Sequence, residues 1–397
     1  MIQIASALLL LTVGTVTWGA ESDVKRGEYL ARAGDCISCH SDGTGDSYAG
    51  GLPMNTPFGI IYSPNITPDK ETGIGTMTED EFYRVLHEGV GQHGEYLYPV
   101  MPFTFYTKIT RKDVDAIYAY LQSLEPISKK NRGNALHFPF DIRMSMLGWR
   151  ELFFHPGTYA QDTRRSKEWN RGAYLVEGPG HCGACHSPRN VFGAIEKDRA
   201  FTGARIDDWF ALNLTNDLHS GLGSWNVDEI AEFLETGTSR RKGVTALGPM
   251  QEVVHNSLQY LEKDDIKAIA TYIHSLPAHA TSAAALSYGD PSAREGARLY
   301  LDNCAMCHQP KGTGLPGTFP KLAGNAVVTA SDPANFVTVV MSGIPGRGKF
   351  VAMPSFAAKL SDDELIALMN YVRTSWGNAS APGVSAQMIR NWRVEHR

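Results

Sequence analysis

Apolar residues recur at helical spacing in three widely separated stretches of this chain. Val114, Ile117, Tyr118 and Leu121 form one stripe, Ile266, Ile269, Ala270 and Ile273 a second, and Leu365, Leu368, Met369 and Val372 a third. Each predicts an amphipathic helix, over 111–121, 263–276 and 361–376. The last opens with Ser361-Asp362-Asp363-Glu364, a capping-box start. A second helix type also appears three times, at 23–30, 168–175 and 293–300, carrying Gly27, Gly172 and Gly296. A glycine there permits close contact with aromatics of the later helix. The pattern predicts an all-α protein built from repeated whole domains, because a repeat this long is not a solenoid of short units.

Between leading and closing helices, Asn65-Ile66-Thr67 with Gly73-Ile74-Gly75 parallels Asn213-Leu214-Thr215 with Gly221-Leu222-Gly223. Acidic helical starts follow at Thr78–Phe82 and Asn226–Ile230, ended by Gly89 and Gly237. Asn65 and Asn213 also match a glycosylation pattern, but their place in the repeat favours a packed loop. The third repeat diverges, keeping Leu322-Ala323-Gly324-Asn325 and Met341-Ser342-Gly343. Domains are expected at 22–125, 166–277 and 291–378, with linkers at 126–165 and 278–290 and a polar tail at 379–397. Inside the first linker, Ile142, Met146, Trp149 and Phe153 have helical spacing, which reads first as an interdomain packing strap. An exposed patch for a partner subunit, a quinone or a bilayer is the alternative. Ile4 to Val16 is an apolar run that predicts a signal peptide over 1–20, with an uncleaved anchor as the alternative. No later stretch is apolar enough to span a membrane.

Chemistry enters just after each leading helix. Cys36-Ile37-Ser38-Cys39-His40, Cys182-Gly183-Ala184-Cys185-His186 and Cys304-Ala305-Met306-Cys307-His308 share one pattern and use all six cysteines. With six Cys and 13 His in 397 residues, chance gives roughly 0.003 such matches. Two cysteines three apart can each form a thioether to a haem vinyl group, and the adjacent histidine can then ligate the iron. A redox dithiol or a zinc knuckle shares the Cys spacing but does not need the histidine. The expected cofactors are three covalently bound haem c groups. They are attached through Cys36, Cys39, Cys182, Cys185, Cys304 and Cys307, with His40, His186 and His308 as proximal ligands, in three tandem class I-like cytochrome c domains.

The sixth ligand decides between electron transfer and an open, reactive iron. Met101, Met250 and Met353 lie about 61, 64 and 45 residues after those histidines, each beside a proline and ahead of a closing helix. A methionine is ordinarily core filler; recurrence in register makes these three the expected axial ligands. Met54, Met77, His87 and His93 are rivals in the first domain, and His219 and His255 in the second. No histidine falls between His308 and His396 in the third. Gly312-Thr313-Gly314-Leu315-Pro316-Gly317 matches a dinucleotide fingerprint, but it neither follows a strand nor opens a helix, so it reads as a turn.

Composition is ordinary for a globular protein, and the net charge of −5 gives no footprint for nucleic acid. The runs Gly50-Gly51-Leu52-Pro53-Met54, Thr56-Pro57-Phe58-Gly59, Asn65-Ile66-Thr67-Pro68-Asp69 and Thr72-Gly73-Ile74-Gly75 resemble the tri-haem cytochrome c subunits of bacterial membrane-associated dehydrogenases. So do Gly180 to His186 and Thr374-Ser375-Trp376-Gly377-Asn378. The resemblance implies an electron-transfer subunit with no substrate-oxidising site of its own. It would take electrons from a dehydrogenase catalytic subunit, alcohol or aldehyde oxidation being the leading reading, and pass them to ubiquinone or a terminal oxidase. The partner would be a quinoprotein, flavoprotein or molybdopterin enzyme, since Asn170 to Val176 also resembles cytochromes paired with molybdenum hydroxylases. The implied location is the periplasm, with peripheral association at the outer face of the cytoplasmic membrane. Some relatives continue into a membrane-associating segment, so attachment here is expected through the partner or the N-terminal run. The competing functions are a haem enzyme with one open iron, for peroxidase or sulfur oxidation, and a free-standing soluble shuttle.

Overall fold

A computed structural model of the chain describes residues 17–218, 220–239, 241–279, 291–315, 318–346, 351–378, 380 and 383–396. The apolar run at 4–16, most of the 278–290 linker and His219 lie outside the described residues.

Helix α1 (Thr17–Ala33) leads into a one-turn helix α2 (Cys36–Cys39), the hairpin β1 (Pro53–Thr56) and β2 (Gly59–Tyr62), and helices α3 (Glu79–Glu88), α4 (Phe103–Tyr106) and α5 (Arg111–Gln122). Strand β3 (Ala135–Leu136) adds to β2, and α6 (Ser145–Phe153) follows. The second set is α7 (Lys167–Glu177), α8 (Gly183–His186), hairpin β4 (Ala204–Ile206) and β5 (Trp209–Ala211), α9 (Val227–Thr236), hairpin β6 (Thr238–Ser239) and β7 (Val244–Thr245), α10 (Pro249–Asn256) and α11 (Lys263–His274). The third is α12 (Pro291–Asn303), α13 (Ala305–His308), α14 (Ala326–Thr329), α15 (Ala334–Ser342), α16 (Asp362–Thr374) and α17 (Ala386–Glu395).

Three hydrophobic cores accompany the three helix sets. In each, the leading helix crosses the closing helix at a glycine. A Cβ on Gly27 would lie 1.8 Å from the Ala116 carbonyl oxygen, one on Gly172 1.9 Å from that of Ala268, and one on Gly296 2.3 Å from that of Ala367. The close contact read from the sequence is therefore made chiefly to an alanine backbone. The tyrosine four residues on, Tyr120, Tyr272 or Tyr371, supplies only its Cβ.

The capping box predicted at Ser361 forms, and the two acidic helical starts are capped in the same way. Thr78 with Glu81, Asn226 with Glu229, and Ser361 with Glu364 each make a reciprocal capping box, which satisfies two otherwise unpaired N–H groups. Gly89 and Gly237 end their helices at φ of 64° and 70°, a left-handed conformation that costs glycine little. Asn65 and Asn213 are buried in packed loops rather than offered to solvent. Their side chains accept from the N–H of Thr67 and Thr215, at 2.9 and 2.8 Å.

Three expectations need correction. The fold is mainly helical but not purely so, because short antiparallel strands form between the helices. Gly59, at φ 118°, lets β3 approach so closely that a Cβ would fall 2.4 Å from the Ala135 carbonyl oxygen. The polar tail is largely a helix, α17, whose Ile389 is wholly buried in the third core beside Val384, with Met388 and Trp392 packed against it. The 138–154 strap packs between units as expected only in part: Met146 is buried and Trp149 packs on Phe103 of the first unit while donating to Phe192 of the second, but Ile142 is exposed, as are Phe138, Met144 and Leu152.

The first two units grip each other reciprocally. Tyr29 of α1 donates to Asp265 of α11 at 2.5 Å, and Tyr174 of α7 donates to Asp113 of α5 at 2.5 Å. Each aspartate also accepts from an arginine of its own unit, Arg26 to Asp113 at 2.7 Å and Arg171 to Asp265 at 2.8 Å. The third unit docks on the β4–β5 hairpin. The Asn335 side chain accepts from the Phe210 N–H at 2.6 Å and donates to its carbonyl at 2.8 Å, and Arg205 pairs with Asp332 at 2.7 Å.

Gly172→Val should lower unfolding free energy by about 2–3 kcal/mol, the scale of overpacking a tight contact. Gly157, where an added Cβ meets nothing within 4 Å, should tolerate alanine with a change within about 0.5 kcal/mol. Denaturant unfolding of the two variants checks the difference.

Candidate functional site

A single helical turn carries each Cys-x-x-Cys-His motif. The histidine N–H donates to the carbonyl of the first cysteine four residues back, at 3.0 Å for His40, 3.0 Å for His186 and 2.9 Å for His308. Residues three and four apart on a helix share a face, so this bond turns both thiols and the imidazole to the same side. None of the six cysteines is in a disulfide. The first cysteine and the predicted methionine of each set, Cys36 with Met101, Cys182 with Met250 and Cys304 with Met353, pack against the same core.

Each imidazole is held by a backbone carbonyl. Nδ1 lies 2.8 Å from the Pro64 oxygen in His40, 2.7 Å from the Leu212 oxygen in His186 and 2.9 Å from the Pro320 oxygen in His308. A carbonyl can only accept, so the proton sits on Nδ1 and Nε2 keeps its lone pair. Burial pushes all three imidazoles below their usual value, which favours the neutral ring that a metal requires. Holding the second nitrogen in this way is the common device for orienting a ligating histidine.

These carbonyls were missed from sequence, and only Pro64 and Leu212 left a trace: each immediately precedes the asparagine of a repeated loop. Pro320 is delivered by the glycine-rich turn. Gly314, at φ 62°, would place a Cβ 2.6 Å from the Pro320 oxygen, and its N–H donates to the His308 carbonyl at 2.9 Å. Gly312 leaves room for Trp376, whose Cε3 would be 2.4 Å from an added Cβ. The dinucleotide-like stretch is a turn that seats a histidine, as far as its described residues extend.

The methionines are less uniform. Met101 and Met353 sit in extended or turn segments, Met353 exchanging two 2.9 Å backbone bonds with Ile344. Met250, also ahead of its closing helix, lies in the first turn of a further helix, α10. Gly248 at φ 54° precedes it and Pro249 fills the first helical position, where a missing N–H costs nothing. Of the rivals, the His87 ring stacks on Tyr83 at 4.7 Å and His255 lies within hydrogen-bond reach of Gln259; Met54 pairs with Ile61 in the β1–β2 hairpin, and Met77 packs on the first core alongside Met101. His93 is exposed.

The thiol chemistry distinguishes the readings of the motif. Burial pushes Cys36 and Cys182 up to about 12, and Cys39 and Cys304 up to about 11. A redox dithiol needs a lowered thiol, so that reading fits poorly. Among the described residues the candidate cation cluster is Asp208, Glu395 and His396, which contains no motif residue. Paired thiols with a neutral imidazole turned beside them, and a thioether on the same core, fit a haem c group, for which the cysteines would be the tethers and His40, His186 and His308 the fifth ligands.

The first two motifs abut. Asn256 of α10 donates to Ser38 at 2.8 Å, and Ser38 donates to Asp35 at 2.6 Å. His181, just before Cys182, packs edge-on against Tyr106 with centroids 5.4 Å apart, and Gly183 leaves space for Phe105, 2.9 Å from an added Cβ.

Asp35, beside Cys36, is raised from 3.8 to about 7, chiefly by burial and further by Glu252, against the Ser38 hydrogen bond. The folded state then keeps a proton that the unfolded chain releases, so stability should fall as pH rises from about 4 to about 7. Asp35→Asn should flatten that slope, and denaturant titrations at stepped pH measure it.

The cytochrome c family model matches residues 24–125, and that of cytochrome c oxidase, cbb3-type, subunit III matches residues 291–372. The chain is 38% identical to the gluconate 2-dehydrogenase cytochrome c subunit of Pantoea cypripedii, over 98% of this chain and 95% of that protein. It is 39% identical to the cytochrome c subunit of the quinone alcohol dehydrogenase of Gluconobacter oxydans (strain 621H), over 94% and 83%. It is 36% identical to the fructose dehydrogenase cytochrome subunit of Gluconobacter japonicus, over 94% and 82%. Near-complete coverage at this identity, on a helical scaffold that turns each Cys-x-x-Cys-His motif the same way, means that the chain belongs to the family of dehydrogenase cytochrome c subunits.

Proposed function

We propose that this chain is a tri-haem electron-transfer subunit, with tandem cytochrome c domains at 22–125, 166–277 and 291–378. The observation that carries the reading is the threefold recurrence of one arrangement: a histidine turned by its own motif helix and fixed through Nδ1 by a carbonyl 2.7–2.9 Å away. Haem c, when bound, supplies one-electron exchange at iron. Cys36, Cys39, Cys182, Cys185, Cys304 and Cys307 tether the groups, which prevents their loss. His40, His186 and His308 present a neutral nitrogen in a fixed direction. Met101, Met250 and Met353, each packed on the same core as its motif, would supply a thioether sulfur to the same group. Met and His ligation together would raise the potential and leave no open position, which suits relay rather than peroxidase chemistry.

The relatives' names support a dehydrogenase catalytic subunit as donor, of quinoprotein, flavoprotein or molybdopterin type. Alcohol or aldehyde oxidation remains the leading reading, with ubiquinone or a terminal oxidase as acceptor. The apolar run at 4–16 supports export to the periplasm. Abutting first and second motifs support fast exchange between those two centres, because transfer needs short gaps and rigid placement.

Intact-mass measurement of the purified chain should show three covalent haems; two or fewer would sink the assignment. Met101→Leu, Met250→Leu and Met353→Leu should each convert one centre of three to a high-spin spectrum and lower one midpoint potential. A high-spin centre in the unaltered protein would instead favour a haem enzyme.

A further inference from the structure

The 138–154 segment was read from sequence mainly as buried packing, yet beside the buried Met146 and Phe154 several of its apolar side chains stand outward. Phe138 is 80% exposed, Met144 69% and Leu152 71%. The neighbouring loop of the second unit adds Val191 at 84% and Phe192 at 60%. The patch is continuous. Trp149 donates to the Phe192 carbonyl at 2.9 Å, the Phe153 and Phe192 rings lie 6.0 Å apart, and Phe58 bridges Phe140, at 4.6 Å, to Gly193. Solvated monomers seldom carry an apolar surface of this extent without using it.

Two features identify what covers it. The first is charge: within 130–155 there are four Lys and Arg against two Asp and Glu, in a chain of net charge −5, Lys129 just before them being paired with Asp42. The second is a belt of arginine–tyrosine pairs beside the patch. Arg132 lies 4.0 Å from the Tyr62 centroid, Arg143 4.8 Å from Tyr98 and Arg150 4.9 Å from Tyr96. Rings with one polar end, backed by cations and bordering protruding Phe, Leu and Met, are the composition of a surface seated at the headgroup level of a bilayer. The side chains project singly from a loop and a nine-residue helix, which suits insertion between lipids better than a fit to a rigid partner.

We infer that this face docks the protein on an anionic lipid bilayer, with Phe138, Met144, Leu152, Val191 and Phe192 inserted and the basic belt on the headgroups. The geometry also links the docking face to the chemistry. Arg189 donates to the Gly193 carbonyl at 2.8 Å and to the Ala184 carbonyl, inside the second motif, at 3.0 Å. Docking thus holds the second motif close to the membrane surface, where a lipid-soluble acceptor is found. That last step rests on the proposed electron-transfer function; the docking itself does not, and it is measured without any electron transfer.

The test uses the full holo-chain and sedimentation with phosphatidylglycerol vesicles against phosphatidylcholine vesicles. Binding should be about tenfold or more stronger to the anionic vesicles and fall with added salt. Phe138→Ser, Leu152→Ser and Phe192→Ser combined should weaken it about a hundredfold, with an unaltered haem spectrum showing that the fold is intact. Lipids with a photoreactive acyl chain should label peptides within 133–155 and 190–199. Label confined to the N-terminal run, or no preference for either vesicle, overturns the inference. So does loss, in the triple variant, of a second copy or a catalytic subunit while vesicle binding is unchanged.

Discussion

The contact on which the three units depend is a glycine laid against a carbonyl. Where Gly27, Gly172 and Gly296 meet Ala116, Ala268 and Ala367, any side chain would occupy space already filled by backbone. The crossing therefore fixes both the separation and the rotation of the leading helix on the closing helix. That rotation is passed on at once. The α1 helix ends with the Gly34 N–H on the Leu30 carbonyl at 2.8 Å, and Cys36 follows two residues later. In the second unit, Gly180 caps back onto Leu175 at 2.7 Å just ahead of Cys182. The direction of each motif is a consequence of a helix packing that has no chemistry of its own.

From there the units diverge in how they finish the site. The first two bring a carbonyl to the histidine from a loop stapled by Asn65 or Asn213. The third, which lacks that loop, brings Pro320 on a glycine turn. Different backbone routes converge on one requirement, that Nδ1 be held so that Nε2 points one way. Convergence of this kind is a stronger sign of function than repetition by descent, because the third unit has lost much of the rest of the repeat.

Sequence made the helices, the capping boxes, the motifs and the glycine crossings legible, because each is written in residue types at fixed spacing. The carbonyl partners were not, since every residue offers the same acceptor and no side chain advertises it. The short helix around Met250 was not read from sequence, although Gly248 followed by Pro249 is a way to start one. In α17, Met388, Ile389 and Trp392 are too few among polar neighbours to announce burial. The 142–153 stripe showed that a face was apolar but not what faced it. Periodicity reports an amphipathic surface, and only tertiary structure says whether protein covers it.

The reciprocal Tyr29–Asp265 and Tyr174–Asp113 bonds bear on how the relay is arranged. Exchanging the first two units leaves that pair of bonds unchanged, as an isologous interface requires, and the exchange sets the two Cys-x-x-Cys-His turns side by side. The third unit instead grips the β4–β5 hairpin through Asn335 and Asp332, and the residue after β5 is Leu212, which holds His186. The third unit is thus attached to the strand that positions the second histidine, while the first is attached through the second motif itself. Both neighbours meet the middle unit at backbone that its histidine depends on, so the second Cys-x-x-Cys-His motif is the one whose geometry the other two units constrain.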